Sequence, residues 1–251
     1  MQILRTRFKK VLVAEFVKPL RPSRRAIIFC GGMPGAPRHD VVLEFWAKKG
    51  FWVFFPRYRG TWESGGEFLK KSPHEDILDV IDELPKGFTD LWSGNSYKLP
   101  VKSCKVYIFG ASFGGPAAIL CSRDARVKKS IAFSPAIDWR VERHSVDEPM
   151  DILERYIPKA FGNCYRFSPK NWGRLCHGEF YNPIDASDSI IPEKLLIFFA
   201  KDDRVCDYPC AKKFAALTGT KLITLRTGGH FGISKSIEPR IYKSIRRFLS
   251  S

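Results

Sequence analysis

The chain has 251 residues, 44% of them apolar, enough for one large domain with an ordinary core. Its apolar runs (AIIFC, FWVFF, VYIF, IAF, LLIFFA) are all strand-sized, which excludes a bilayer-spanning helix. With 42 Lys and Arg against 26 Asp and Glu the formal net charge is +16, which raises anionic partners, but basic residues such as Arg5, Lys48, Lys128, Lys212 and Arg246 are scattered and form no aromatic-interleaved RNA motif.

Solvated surface is therefore the reading of that charge, and no specific nucleic-acid partner is expected. The N-terminal stretch is basic and then apolar, like a secretory leader, but Glu15 interrupts it and no small-residue cleavage site follows. A strand is expected there, in a cytoplasmic protein. The seven cysteines are odd in number and lie mostly inside expected strands and helices, which suits reduced thiols. The spacings of Cys164, Cys176, His177, Cys206 and Cys210 match no familiar zinc pattern, so no metal is expected.

Taken in chain order, strands are expected at 3–8 and 11–17, forming an antiparallel edge, then at 26–30 after a Pro/Arg-rich turn. A glycine-rich loop, CGGMPG, leads to a helix whose Val41, Val42, Phe45 and Trp46 share a face, and then to a strand at 51–56. Ser72-Pro73-His74-Glu75 reads as a capping box opening a helix with the buried stripe Ile77, Leu78, Ile81 and Leu84. Residues 86–102 read as loop.

A central strand at 105–109, a helix at 113–121 and a strand at 129–134 follow. From 138 to 185 the pattern turns aromatic, basic and proline-punctuated, with one credible helix at 150–161, and reads as a small cap inserted over the sheet. Regular alternation resumes with a strand at 195–200, a helix at 208–217, a strand at 221–225 and a last helix bearing Ile237, Ile241, Ile245 and Leu249. This is the pattern of a single α/β domain over 1–251, a mostly parallel sheet with helices on both faces.

Gly110-Ala111-Ser112-Phe113-Gly114 matches G-x-S-x-G and lies between an expected strand and an expected helix. That context suits a nucleophile elbow: flanking glycines let the backbone bend sharply and expose the hydroxyl, and the helix aims its N-terminal amides at developing negative charge. A serine hydroxyl needs a base. Of the five histidines, His230, in GGHFG after the last expected strand, occupies the suitable loop; His39, His74, His144 and His177 are expected to face solvent.

The carboxylate that orients the imidazole is expected to be Asp202, just after LLIFFA, with Asp203 the adjacent competitor and Asp138 a remoter one. For an oxyanion hole, the amide of Phe113 is one candidate donor, and the loop Gly31–Gly35 offers Met33 first and Gly32 next.

Together CGGMPG, PRYRGTWESGGEF, GASFGG, AKDDRV and GGHFG resemble, in order, the landmarks of the α/β-hydrolase superfamily over nearly everything from residue 26 onward. RGTWESGGEF, DDRV and GGH look most like prolyl-oligopeptidase-type hydrolases and their esterase relatives. The resemblance implies an α/β-hydrolase fold, a serine hydrolase that needs no cofactor, and the first aspartate of DDRV, Asp202, as the triad acid. Two features depart from that group: the chain carries no β-propeller, and Cys30 stands before Gly31-Gly32 where many relatives have histidine.

The expected activity is carboxylesterase-like, on a small-molecule ester. The alternatives are a small peptidase or aminopeptidase on short peptides, for which Glu63 and Glu67 are candidate amine anchors, and a non-catalytic binding module. The aromatics and arginines of 138–185 leave the acyl preference open, and oligomeric state is unread.

Overall fold

A computed structural model of the chain describes residues 1–100 and 103–251. Its centre is an eight-stranded sheet in the order β1-β2-β4-β3-β7-β8-β9-β10. The strands are β1 (Leu4–Phe8), β2 (Leu12–Val17), β3 (Arg25–Cys30), β4 (Trp52–Pro56), β7 (Lys105–Ala111), β8 (Val127–Phe133), β9 (Leu195–Ala200) and β10 (Lys221–Leu225). β1 pairs with β2 and β2 with β4 in antiparallel fashion, and every other pairing in this sheet is parallel. The expected antiparallel edge and mostly parallel sheet are therefore both present.

Alternating strand residues feed two apolar layers, as the period of two requires. On one face Ile28, Phe54, Ile108 and Phe199 pack with α2 (Pro73–Glu83), α3 (Gly114–Cys121) and α7 (Tyr208–Thr218) through Ile77, Ala117 and Phe214. On the other, Ile27, Phe55, Phe109 and Phe198 meet α1 (Asp40–Lys48) and α8 (Pro239–Ser250) through Trp46, Ile241 and Ile245. The helices differ accordingly. α8 buries Ile241 and Ile245 one turn apart and turns Arg240, Lys243, Arg246 and Arg247 outward, whereas all eight residues of α3 are buried.

Glu15, in the middle of β2, is held at 2.9 Å by Arg57 Nη2, and both are buried. α2 begins as the sequence predicts: Pro73 occupies its first turn, and the Ser72 amide donates to the Glu75 carboxylate at 3.3 Å.

Residues 86–102, read as loop, hold a short hairpin of β5 (Phe88–Thr89) and β6 (Ser96–Tyr97); residues 101–102 of that expectation lie outside the described residues. The rings of Phe88 and Tyr97 pack tilted against each other and edge-on against Phe16, an interaction between distant segments that local periodicity does not encode. Between β8 and β9, where one helix is expected, there are three: α4 (Trp139–Glu142), α5 (Met150–Phe161) and α6 (Pro169–Cys176). The last helix starts later than read, at Pro239, after a 3-10 turn over Ile233–Ile237.

In the parallel part of the sheet the carboxyl ends of β3, β7, β8, β9 and β10 all lie at one edge, and each leads into a loop that carries a polar group or glycines singled out below. Among the described residues no helix is long and apolar enough to cross a membrane.

Candidate active site

Ser112 sits between β7 and α3 with φ +54°, a left-handed conformation that is strained for a side chain bearing a Cβ. The neighbouring glycines hold it there. A Cβ on Gly110 would lie 2.0 Å from the Gly114 carbonyl oxygen, one on Gly114 would lie 2.2 Å from the Cys30 carbonyl oxygen, and one on Gly115 would strike Pro135 at 2.3 Å. Strand, turn and helix thus touch backbone to backbone, and the Ser112 amide donates to the Phe133 carbonyl at 2.9 Å.

The glycine-rich loop after β3 closes on the same point. A Cβ at Gly32 would lie 3.4 Å from Ser112 Cβ and 3.8 Å from its hydroxyl oxygen, so this loop is in van der Waals reach of the serine. Tyr58 donates to the Gly31 carbonyl at 3.2 Å, and the Tyr165 hydroxyl accepts from the Gly35 amide at 3.0 Å. Met33 is buried against the site. Phe113 is the N-cap of α3, and the amides of a helix's first turn lack intrahelical partners. Its carbonyl accepts from the Tyr181 hydroxyl at 2.6 Å, which fixes the Phe113–Gly114 peptide at the start of the helix.

His230 follows β10 on a turn with Gly228 at φ +149° and Gly229 at φ +61°. Its Nδ1 lies 3.0 and 3.1 Å from the two carboxylate oxygens of Asp203, whose side chain is fully buried. Burial by itself would raise the Asp203 pKa. The hydrogen bond and charge of His230, with help from Ser134 and the Cys206 amide, outweigh it and hold the carboxyl below its ordinary value. His230 Nε2 is buried with no hydrogen-bond partner among the described residues.

Asp202, expected to meet the imidazole, does not. It is exposed, and it accepts the Gly229 amide at 2.9 Å and the Gly228 amide at 3.2 Å, so it braces the turn that carries His230. The reason is local. Asp203 Oδ1 also accepts the amides of Val205 and Cys206, a turn in which an aspartate caps the two or three residues after itself and is thereby aimed inward. Asp138, the remoter candidate, instead caps α4 and pairs with Arg140.

Ser112 and His230 line one cavity of about 230 Å³, together with the Gly31–Gly35 loop, Tyr58, Trp62, Glu148 and Tyr165. A second chamber of about 30 Å³ reaches Ser112 from the side of Phe113, Met33, Trp139 and Met150. Glu148 borders both chambers, and burial raises its carboxyl pKa. His39, expected to face solvent, lines the larger cavity with its ring 4.7 Å from that of Phe55, and burial lowers its pKa. His74 is half-buried, while His144 and His177 are exposed as expected.

Several site residues had no motif to reveal them. Ser134, itself at φ +41°, ends β8 and accepts the Phe231 amide at 3.1 Å. Glu148, Tyr165 and Tyr181 come from the aromatic stretch between β8 and β9, where no period marks which side chains turn inward.

Neither a protein-family model nor a curated protein sequence matches the chain. Solved structures do. Est1E from Butyrivibrio proteoclasticus is similar with a TM-score of 0.66 at 16% identity, covering 100% of both chains. A Pyrococcus furiosus esterase is similar with a TM-score of 0.66 at 17% identity, over 99% of this chain and 90% of its own. Uncomplexed Pyrococcus horikoshii acylaminoacyl peptidase is similar with a TM-score of 0.66 at 16% identity over 99% of this chain, which spans 41% of that longer chain. The chain has the α/β-hydrolase fold.

Two expected outcomes follow from the site's packing and charge. Gly110→Ala drives a methyl into a backbone carbonyl and should destabilise the chain by about 3 kcal/mol or more, measured by urea unfolding; a loss no larger than a surface Gly→Ala change would contradict the backbone contact. Glu142, beside the small chamber, accepts amides from Ile137 and Asp207, yet burial pushes its pKa up to about 8. The folded chain then keeps a proton that the unfolded chain loses at about pH 4.3. This stability is fully present below that pH and lost as pH rises through about 8. The melting temperature of Glu142→Gln should therefore fall less steeply between these limits than that of the parent, and parallel profiles would show that Glu142 titrates normally.

Proposed function

We propose that the chain is a serine hydrolase that cleaves carboxylic esters through an acyl-enzyme, with Ser112 as nucleophile, His230 as base and Asp203 as the acid that orients it. The observation that carries this reading is the contact of the His230 ring with the buried Asp203 carboxylate, in a histidine that shares a cavity with a serine in strained backbone. A carboxylate on Nδ1 fixes the tautomer that leaves Nε2 free to take the serine proton and stabilises the imidazolium formed.

In this reading Ser112 Oγ attacks the ester carbonyl while its proton passes to His230 Nε2. The negative oxygen is received by the amides of Phe113 and of Met33 or Gly32. Collapse breaks the ester C–O bond, and the alcohol leaves with the proton from His230. Water then loses a proton to the same nitrogen, attacks the acyl-serine and frees the acid, regenerating the serine hydroxyl. None of these steps needs a cofactor. The side chamber of about 30 Å³ is much smaller than the cavity of about 230 Å³, which favours a short acyl group there.

Ser112→Ala should abolish turnover of p-nitrophenyl acetate while leaving the melting temperature intact. Asp203→Asn should lower kcat by about 10⁴-fold. Asp202→Asn should act only through the turn it braces and lower kcat by about tenfold or less. Equal losses from the two aspartate variants, or undiminished turnover by Ser112→Ala, would overturn the assignment.

One observation favours a second reading, an aminopeptidase. Glu63 and Glu67, the earlier candidates for holding a peptide amine, are engaged elsewhere: Glu63 pairs with Arg5 and Arg57, and Glu67 accepts from Asn171. Glu148, by contrast, borders both chambers and has no basic partner within 4 Å among the described residues. On the esterase reading the parent prefers p-nitrophenyl acetate to aminoacyl p-nitroanilides, and Glu148→Gln changes kcat/KM for the ester by less than about threefold. A parent that prefers the anilides, with KM rising about tenfold or more in the variant, would make this a peptidase with Glu148 as its amine anchor.

A further inference from the structure

A groove of about 1600 Å³ lies away from Ser112, where β7, β8 and β10 begin at Lys105, Val127 and Lys221. The end of α2 and the last turns of α8 border it. Its lining is unusually basic: 9 of 24 residues are Lys or Arg and two are acidic, more than twice the share of Lys and Arg in the whole chain. The excess marks this groove out from a generally basic surface.

Most of this charge is uncompensated. Lys86 pairs with Glu83, and Arg126 with Asp82 and Asp124. Among the described residues Lys98, Lys128, Lys129, Lys194, Lys221 and Arg247 have no carboxylate within 4 Å. Two of them are drawn in from solvent. Lys129 is buried and its Nζ donates to the Phe248 carbonyl and the Ser251 hydroxyl, both at 2.6 Å. Lys194 Nζ donates to the Asp124 carbonyl at 3.0 Å. Burial lowers the pKa of both, and Lys128 lowers that of Lys129 further. Ammonium groups held on neutral acceptors beside one another gain from an anion that enters the groove.

Between the cations the surface is apolar, with partly exposed Pro85, Pro192, Ile223 and Phe248. A simple ion would use the charge and leave this surface wet; a ligand with several phosphates and a flat apolar body would use both. We propose that this groove is a binding site for an organic polyphosphate of the nucleotide class, with its phosphates on the lysines and its base against the apolar strip. The site lies away from the cavity of Ser112 and does not rest on the hydrolase reading.

The test is calorimetric titration of the full chain with ATP, inorganic tripolyphosphate and a single-stranded RNA at near-physiological salt. It is repeated on Ser112→Ala and on the double variant Lys128→Glu/Lys221→Glu, two positions that are exposed and outside the catalytic machinery. ATP should bind with a Kd below about 100 µM. Tripolyphosphate should bind at least about threefold more weakly, because it lacks the body that covers the apolar strip. The double variant should lose about tenfold or more in ATP affinity with an unchanged melting temperature, and Ser112→Ala should bind ATP like the parent. No ATP binding up to about 1 mM, tripolyphosphate as tight as ATP, RNA binding tighter than ATP at the same groove, or affinity unmoved by the charge reversal would each overturn the proposal.

Discussion

The contact on which the site depends is the backbone-to-backbone approach of α3 to the sheet. Side chains normally keep a helix some 10 Å from the strands it covers. Here Gly110, Gly114 and Gly115 remove that spacing, so the turn between β7 and α3 is squeezed against the Cys30 carbonyl and Pro135. Ser112, in the sharp turn that joins the strand to so close a helix, takes the left-handed conformation. The strain at one residue is balanced by burial of an all-apolar helix, Gly-Gly-Pro-Ala-Ala-Ile-Leu-Cys, against two strands. A residue that sequence alone describes as a serine in a motif is thus a consequence of three missing methyl groups.

A second level of order comes from the long connection between β8 and β9, which grips the site from both sides. Tyr181 reaches the Phe113 carbonyl and the Ala117 amide at the start of α3, and Tyr165 reaches the amide and carbonyl of Gly35 in the opposing loop. Both hydroxyls are held in buried or nearly buried settings, where a hydrogen bond to backbone fixes geometry better than apolar packing does. The two loops that flank Ser112 therefore share a common brace. Any shift of this connection would move both, which ties the shape of the cavity to a segment that contributes no motif of its own.

The sheet was legible from sequence because strand-length apolar runs and a capping box are local statements of burial. G-x-S-x-G and the loop of His230 were legible because glycines at fixed offsets announce backbone that must bend. The failures share a different cause. Asp202 and Asp203 are adjacent carboxylates of the same chemistry, and only the turn geometry decides which faces the imidazole and which braces Gly228 and Gly229. A reading of Asp203 as the cap of its own loop, with Val205 and Cys206 supplying the amides, was available in principle, but it competes on equal terms with a cap by its neighbour. The hairpin of Phe88 and Tyr97 and the inward turn of Glu148 depend on contacts between segments far apart in the chain, which no local pattern records.

The same failure says something about the acid beside the histidine. A buried carboxylate beside a histidine fixes one tautomer of the ring and favours the imidazolium more strongly than an exposed one; yet a buried carboxylate must have its other lone pairs satisfied. Asp203 meets both demands within one turn: His230 takes one direction, while the amides of Val205 and Cys206 take another. Asp202 could not do so from an exposed position, and it serves instead by accepting two amides that would otherwise leave the Gly228-Gly229 turn unpinned. Two consecutive aspartates thus divide one task, the inner one acting on the ring and the outer one on the backbone that carries it. That division explains why both acids stand in the loop, and why exchanging their roles would require the loop itself to turn over.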